Sequence, residues 1–207
     1  MRQEIESSGK VVKFARNESP FDYDETLKHF FIFLSGKIKF FQMSLDSGKE
    51  QTVYLMGRGD MYDTVVLLDG KPHELMSEVL EAGEALRLPI SKVREWMYKY
   101  PMFGEIILKY VAAQIRHVEE LATDLTLLDT RERLLKLIVR NLERGEKGRN
   151  MLEGLSHAEI AKLIGTVRHV VDRHIKQLKK EGILEAGRRK IALKDMQKLQ
   201  AELDQIL

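Results

Sequence analysis

One stretch constrains the fold of this chain more than any other, residues 155–184, with the sequence LSHAEIAKLIGTVRHVVDRHIKQLKKEGIL. Ser156, followed three residues later by a glutamate, forms a capping box that predicts the start of a helix. Gly165 can adopt the left-handed conformation that ends this helix. Apolar residues at helical spacing then predict a second helix from about Thr166 or Val167. The stretch is therefore predicted to be a helix-turn-helix.

The two predicted helices each have one apolar face. The first buries Ile160, Ala161 and Ile164, and the second buries Val167, Val170, Val171, Ile175 and Leu178. The second helix keeps polar residues on its other face: Arg168, His169, Asp172, Arg173 and Lys176. In a helix-turn-helix this face enters the DNA major groove. The alternative is an ordinary helical hairpin whose charges are only solvated.

The residues after Gly182 favour DNA binding over a plain hairpin. They read ILEAGRRKIAL, two short apolar runs around a glycine and three cations, which predicts a β-hairpin wing with Arg188, Arg189 and Lys190 at its tip. Charge is also distributed unevenly. Residues 1–128 carry 16 Lys and Arg against 20 Asp and Glu, whereas residues 129–207 carry 18 against 12. The basic half contains the helix-turn-helix.

Composition excludes several classes of site. The chain has no cysteine, which rules out disulfides, thiolate zinc sites and cysteine-ligated iron–sulfur clusters within it. No apolar run reaches the length of a membrane span and no signal peptide precedes the first strand, so the expected location is the cytoplasm, without a membrane partner. No phosphate-binding loop, nucleophile–base pair or metal-ligand spacing is present, and we do not expect an enzyme.

Residues 1–100 have the pattern of an antiparallel β domain, with short strands separated by glycine turns. Strands are predicted at residues 11–14, 30–34, 38–43, 52–55 and 85–88. The run HFFIFLSGKIKFF predicts a tight hairpin whose aromatic side chains supply the core. No helix of crossover length separates these strands, which favours an antiparallel sandwich or roll over a parallel sheet.

A long helix is predicted from Pro101 to about residue 128. Seven of its residues alternate steps of four and three, which is the spacing of a coiled-coil seam: Ile107, Val111, Gln114, Val118, Leu121, Leu125 and Leu128. We interpret this seam as a parallel homodimer interface. The alternative is packing of the same residues within one chain.

Asp129 and Thr130 are good helix caps and predict a hinge before a helix over residues 131–144. The predicted organisation is α+β, with an N-terminal antiparallel, jelly-roll-like β-roll sensor domain at residues 1–100. A dimerisation helix at residues 101–128 and a winged helix-turn-helix domain at residues 129–207 follow. A last helix is predicted from Leu193 to Leu207.

These parts, in this order and at this length, resemble the CRP/FNR family of bacterial transcription regulators. The local matches are FIFLSGKIKFF, the turn Gly59-Asp60 followed by LLDGKP, and the helix-turn-helix from His157. The resemblance implies a homodimer on a two-fold symmetric operator that recruits or blocks RNA polymerase, with double-stranded DNA as the principal partner.

The resemblance places the base-reading positions on Arg168, His169 and Arg173. Arg173 matches the arginine typical of the family, and an arginine can donate to both O6 and N7 of guanine. His169 replaces the usual glutamate, which implies an unfamiliar half-site. Backbone positioning is expected from seven further residues: Ser156, Lys162, Lys176, Lys179, Arg188, Arg189 and Lys190.

The effector pocket departs from the cyclic-nucleotide branch of the family. Proteins of that branch bind the ribose and phosphate with a glycine, a glutamate, an arginine and a serine. Their places are held here by Asp63, Thr64, His73 and Glu74, and the hydroxyl residues that reach the purine are replaced by Val118 and Glu119. A phosphodiester prefers Arg and free N–H donors. We therefore expect no cAMP binding.

Three effector hypotheses and one non-regulatory hypothesis remain open. The effector is an unknown small molecule, or there is none and the protein is controlled by its own abundance. Haem is the third, with His29, His73 or His117 as the axial ligand, and no other cofactor is expected. Outside gene regulation, the alternative is a dimeric adaptor that does not bind DNA.

Overall fold

A computed structural model describes residues 1–146, 150–187 and 190–204. The chain forms two compact units. Unit 1 contains residues 1–42 and 54–120, and unit 2 contains residues 43–53 and 121–207. Residues 43–53 therefore fold with the C-terminal unit, although they lie among the predicted strands of the N-terminal half.

The strands of the first 100 residues confirm the predicted antiparallel β domain. They are β1 (Lys10–Phe14), β2 (His29–Phe33), β3 (Lys37–Met43), β4 (Glu50–Gly57), β5 (Met61–Tyr62), β6 (Met76–Glu81) and β7 (Gly83–Pro89). One sheet has the order β1-β7-β2-β5 and the other β4-β3-β6. Strand β7 pairs antiparallel with β1 and β2, β2 with β5, and β3 with β6. The sequence interpretation missed β5 and β6.

The helices follow in chain order. They are α1 (Arg2–Ser8), α2 (Tyr23–Lys28), α3 (Thr64–Asp69), α4 (Ile90–Lys99), α5 (Pro101–Leu127), α6 (Thr130–Glu146), α7 (His157–Leu163), α8 (Arg168–Lys180) and α9 (Met196–Leu203). Helix α5 begins at Pro101 as expected, because a proline fits the first helical position. Among the described residues, no helix is both long and apolar enough to cross a bilayer.

Aromatic residues of β2 build two cores on opposite faces of one sheet. Phe31 and Phe33 face the space between the sheets, where they pack with Phe14, Phe21, Phe40 and Tyr62. Phe30, on the other face, packs with Trp96 of α4 and Ile107 of α5. This alternation follows from the two-residue period of a strand. The predicted aromatic core is confirmed.

The turn between β2 and β3 requires glycine. Gly36 has a φ of +86°, and a Cβ there would lie 2.8 Å from the carbonyl oxygen of Glu81. A Cβ on Gly83 would lie 2.3 Å from the carbonyl oxygen of Ser35. The two glycines allow the β2–β3 turn and the start of β7 to approach at backbone distance.

Unit 2 contains the predicted winged helix-turn-helix. Strands β8 (Leu184–Gly187) and β9 (Lys190–Leu193) pair antiparallel after α8, which is the wing. Asp129 caps α6, because its Oδ1 accepts from the backbone N–H groups of Arg131 at 2.7 Å and Glu132 at 2.9 Å. The guanidinium of Arg131 contacts Glu181 at 2.7 Å and Glu202 at 3.0 Å. These pairs connect α6 to the end of α8 and to α9.

Candidate DNA interface and effector cavity

The helix-turn-helix is fixed by its cap, its turn glycine and its apolar contacts. The Ser156 hydroxyl accepts from the Glu159 N–H at 3.2 Å, as the capping box predicts. Gly165 has a φ of +64°, and the chain then turns so that the Thr166 N–H donates to the carbonyl of Ala161 at 2.9 Å. Ala161 and Val171 are buried, which allows α7 and α8 to pack closely.

The start of α8 differs from the sequence expectation in one respect. Helix α8 begins at Arg168, and Val167 precedes it as the N-cap with 53% of its surface exposed. Val167 is therefore not part of the buried stripe, because its extended backbone carries the side chain away from the helix face. Val171, Ile175 and Leu178 are buried as predicted.

The predicted base-reading residues lie on the exposed face of α8. Arg168, His169 and Arg173 are all exposed. Asp172 lies between them. Its Oδ2 is 3.5 Å from the Arg168 guanidinium, and its Oδ1 is 2.5 Å from Nδ1 of His157 at the start of α7. One carboxylate on α8 therefore contacts α7 and approaches Arg168 on its own helix.

The other histidine of α8 has a structural role. His174 is buried, and its Nε2 lies 2.8 Å from the Thr130 hydroxyl. Burial, followed by the charge of Arg173, lowers the pKa of this imidazole. A neutral His174 joins α8 to the first turn of α6 and does not face DNA.

The predicted backbone-positioning residues have different environments. Lys176 and Lys179 are exposed on α8. Lys162 is half-buried. Its ammonium group forms ion pairs with Glu50 at 2.7 Å and with Glu159 at 3.3 Å. Lys190 begins β9, whereas Arg188 and Arg189 lie outside the described residues.

The predicted dimer seam on α5 needs correction. Ile107 is wholly buried in the core of its own unit, and Val111, Gln114 and Val118 line a cavity there. The Leu121, Leu125 and Leu128 residues are half-buried in unit 2. The correction concerns Ile107, because Val118 keeps 38% of its surface exposed and the other five seam residues are half-buried. Ile107 is therefore not available to a second copy.

A neighbouring face of α5 has the same spacing and is exposed. Leu108 and Ile115 each have 55% of their surface exposed. Between and beyond them, the same steps of four and three reach four further residues: Ala112, Glu119, Ala122 and Thr126. Ala112 is half-buried, and the other three are exposed. We call these six residues the outer seam.

The cavity in unit 1 has a volume of about 250 Å³. Its walls come from the β domain and from α5, and they are mostly apolar or aromatic. They consist of Tyr54, Met56, Met61, Tyr62, Asp63, Thr64, Val65, His73, Val111, Gln114, Ile115, Val118 and Glu119. Three of the four predicted pocket residues are brought together here. Glu74, the fourth, is exposed and is not part of the described lining, because β6 begins two residues later and carries the chain away.

Asp63 is the most unusual residue of this cavity. It has a left-handed backbone with a φ of +65° at the N-cap of α3, yet its side chain does not cap the helix. The side chain is fully buried, and its Oδ1 lies 3.5 Å from Nδ1 of His73. Neither carboxylate oxygen has a hydrogen-bond partner among the described residues. Burial raises the pKa of Asp63 to about 6, although the nearby His73 offsets part of the effect.

The three imidazoles considered for haem lie in different places. His29 pairs with Glu25 at 3.1 Å, and the ring of His117 lies 5.7 Å from that of Tyr54. His73 alone among them is part of the described cavity lining, where its ring stacks on Tyr62. No group of three or more candidate metal ligands is found among the residues that the structure describes.

Comparison with known proteins matches both halves of the chain. Residues 11–100 match the model of the cyclic nucleotide-binding domain, and residues 132–202 match that of the Crp-like helix-turn-helix domain. The chain belongs to the CRP/FNR family. The two models together cover most of this CRP/FNR regulator, and they coincide with the β domain and the winged helix-turn-helix.

Individual relatives agree with this CRP/FNR assignment. The CRP-like cAMP-activated global transcriptional regulator of Mycobacterium tuberculosis is 24% identical over 192 residues, covering 91% of this chain and 85% of the relative. The cyclic AMP receptor protein of Thermus thermophilus is 26% identical over 157 residues, covering 76% and 71%. The structure of FixK2 from Bradyrhizobium japonicum, 20% identical, superimposes with a TM-score of 0.80 over 93% of this chain and 96% of that one. The family is one of DNA-binding transcription regulators, and the fold expectation is confirmed.

Two features of this CRP/FNR regulator were not found by sequence reasoning. The contact between His157 and Asp172 joins residues on opposite sides of the helix turn, and only their place on facing helices reveals it. The aromatic walls at Tyr54 and Tyr62 come from β4 and β5. Tyr62 could have been found, because it lies two residues after the Gly59-Asp60 turn and directly before Asp63 in the sequence.

Proposed function

We propose that this protein is a sequence-specific transcription regulator that binds a two-fold symmetric DNA site as a homodimer and does not respond to cAMP. The observation that carries the proposal is the exposed face of α8, which presents Arg168, His169 and Arg173 next to a β wing. In winged helix-turn-helix proteins this helix reads base edges in the major groove. RNA polymerase is the expected protein partner at the promoter.

Base reading is expected to centre on guanines. A well-placed arginine that contacts both acceptors of a guanine contributes about 1–3 kcal/mol of discrimination. Asp172 lies 3.5 Å from the Arg168 guanidinium, which remains largely exposed and accessible to a base. Arg173 is exposed one helical turn further along α8. The two arginines are therefore expected to read different bases of one half-site.

Dimerisation is proposed to use the outer seam of α5. Leu108 and Ile115 supply exposed apolar side chains at coiled-coil spacing, and the intervening Ala112 is small enough for two helices to approach closely. Glu119, four residues after Ile115, is a polar residue on the same face of α5. We propose this face in place of the predicted seam because Ile107 of that seam is buried, and we expect a parallel pair whose two α8 helices read inverted half-sites.

Independence from cAMP is proposed from the chemistry of the cavity. Asp63 and Glu119 place two carboxyl groups in the walls, and no Lys or Arg is part of the lining among the described residues. A phosphodiester in this cavity would lack the cationic donors that normally bind it and would be repelled by the ionised acids. The cAMP-linked names belong to the relatives from Mycobacterium tuberculosis and Thermus thermophilus.

Haem is kept as a second candidate effector on one observation, the position of His73 in the cavity wall, although a group of that size would require the cavity of about 250 Å³ to expand. An imidazole in an apolar cavity is a suitable axial ligand for haem iron. We expect a Soret band after hemin is added to the purified protein, and its loss in His73→Ala, if haem is the effector. A spectrum that is identical for the two proteins removes this candidate.

Selection of random double-stranded DNA by the purified full-length protein tests the proposed function. We expect inverted repeats whose half-sites contain guanine and whose centres lie about 34–36 Å apart, or a multiple of this distance. An Arg173→Ala variant is expected to lose preference at one symmetric pair of positions, whereas Lys28→Ala, in unit 1, leaves selection unchanged. Enriched sites without two-fold symmetry contradict the homodimer. Absence of enrichment supports the dimeric adaptor instead.

A further inference from the structure

We propose that the cavity of unit 1 binds a small organic cation, an amine or amidine donor group carried on a flat apolar body. This inference rests on the proposed function, because it names the chemical class of that regulator's effector. Three observations support this ligand class: the acceptor atoms in the cavity, the charge of its walls and the shape of its walls.

The acceptor is the carboxyl group of Asp63. Its side chain is fully buried and it lines the cavity, where Nδ1 of His73 approaches Oδ1 to 3.5 Å as an ion pair but neither oxygen has a hydrogen-bond partner among the described residues. Buried polar groups in proteins nearly always have partners, so a carboxylate of this kind needs a donor from a ligand or from water. An amidine offers two parallel N–H donors, which match the two oxygens of a carboxylate.

The charge of the walls excludes the opposite class of ligand. Glu119 adds a second carboxyl group on the α5 side, and the described lining contains no Lys or Arg. An anionic head group would therefore meet repulsion from two acids, with His73 as the one titratable base in the described lining. A cationic head group is attracted by both acids.

The shape of the cavity favours a flat, apolar body. Tyr54 and Tyr62 supply aromatic walls, and the Tyr62 ring stacks on Phe40 with centroids 3.7 Å apart. Met56 and Met61 complete this side, and methionine adapts well to planar ligands. The volume of about 250 Å³ lies just below the roughly 300–1,000 Å³ of sites for drug-sized ligands, so the occupant is small.

A matched pair of probes tests this inference on the full-length protein. Benzamidine and benzoate have nearly the same shape and opposite charge, and their binding is measured by isothermal titration calorimetry at pH 7.5. We expect benzamidine to bind at least about tenfold more tightly than benzoate, because charge-assisted hydrogen bonds to Asp63 are worth that much or more. An Asp63→Asn variant is expected to lose this preference. Asp24→Asn, which changes an exposed acid of the same unit, is the control and should keep it.

Each other outcome contradicts the proposed ligand class. Equal or tighter binding of benzoate, no binding of either probe, or unchanged benzamidine binding in Asp63→Asn overturns it. The proposal is also overturned, in favour of a metal site, if Zn²⁺ binds more tightly than benzamidine and this binding is lost in Asp63→Asn. DNA selection is measured separately. Failure of the probes with intact selection refutes the ligand class alone, whereas loss of selection refutes the regulator itself.

Discussion

Replacing Asp63 by Asn should stabilise the protein at neutral pH. Burial raises the pKa of this carboxyl group from its usual 3.8 to about 6, so ionising it is costly in the folded state. A rise of about 2 pH units, at about 1.4 kcal/mol each, corresponds to about 3 kcal/mol. Asparagine has the same shape, carries no charge and tolerates the left-handed backbone of this position.

The sign of the effect gives it a characteristic pH profile. The folded state holds the Asp63 proton more tightly than the unfolded state, so the destabilisation is absent well below pH 3.8 and complete above pH 6. The gain in Asp63→Asn should therefore be about 3 kcal/mol at pH 7.5 and about 0.5 kcal/mol at pH 4. The other titratable groups of the cavity, His73, Glu119 and the two tyrosines, are present in both proteins.

Urea unfolding of the wild type and the variant at a series of pH values measures this difference, with Asp24→Asn as the exposed control. A gain that is the same at pH 4 and pH 7.5 would refute the electrostatic reasoning, since it would indicate only that asparagine suits the left-handed backbone better. A loss of stability at pH 7.5 would show that the carboxylate has a stabilising partner.

Three further predictions concern DNA, assembly and packing. Arg173→Ala should weaken specific DNA binding by about 1–3 kcal/mol in fluorescence anisotropy. Lys176→Ala should weaken the binding of all DNA sequences alike, and the slope of log binding constant against log salt concentration should fall by about the contribution of one phosphate contact. Ile115→Glu should convert the dimer to a monomer in light scattering, because it buries a charge at the outer seam; a dimer that persists contradicts the seam. Gly165→Ala should lower the free energy of unfolding by about 1–2 kcal/mol, since φ is +64° and a Cβ there would lie 2.5 Å from the Leu125 side chain, which must shift; a wild-type melting curve would disprove this.

The helix-turn-helix could be predicted because its signals are local. A cap at Ser156, a left-handed glycine at position 165 and apolar residues at helical spacing act over three or four residues each. The cap and the glycine were found where the sequence placed them, and of the apolar residues only Val167 lies outside the buried stripe. The β hairpin at Ser35-Gly36 was readable for the same reason, since its turn and flanking aromatic residues are contiguous.

The exposed face of α5 could not be identified from the sequence alone. Helix α5 has two apolar faces with the same heptad spacing, one through Ile107 and Val111 and one through Leu108 and Ile115. Periodicity identifies both faces and does not say which one the β domain covers. That depends on Phe30 and Trp96, which are distant in sequence and pack against Ile107.

The pocket was only partly predictable. The resemblance placed Asp63, Thr64 and His73 near an effector, and the fold brings them to one cavity. The burial of Asp63 and its approach to His73 depend on residues ten positions apart meeting across a helix and a loop. No local signal encodes such a contact, because it arises from tertiary packing.

The carboxylate of Asp172 limits how DNA specificity in this protein can change over evolutionary time. It contacts His157 on α7 and Arg168 on α8, so under the proposed function it takes part in both the folding and the reading of one motif. A mutation at this position cannot retune the half-site without also loosening the junction of the two helices. New operators are therefore more accessible through His169 and Arg173, which are exposed and can vary at little expense to stability.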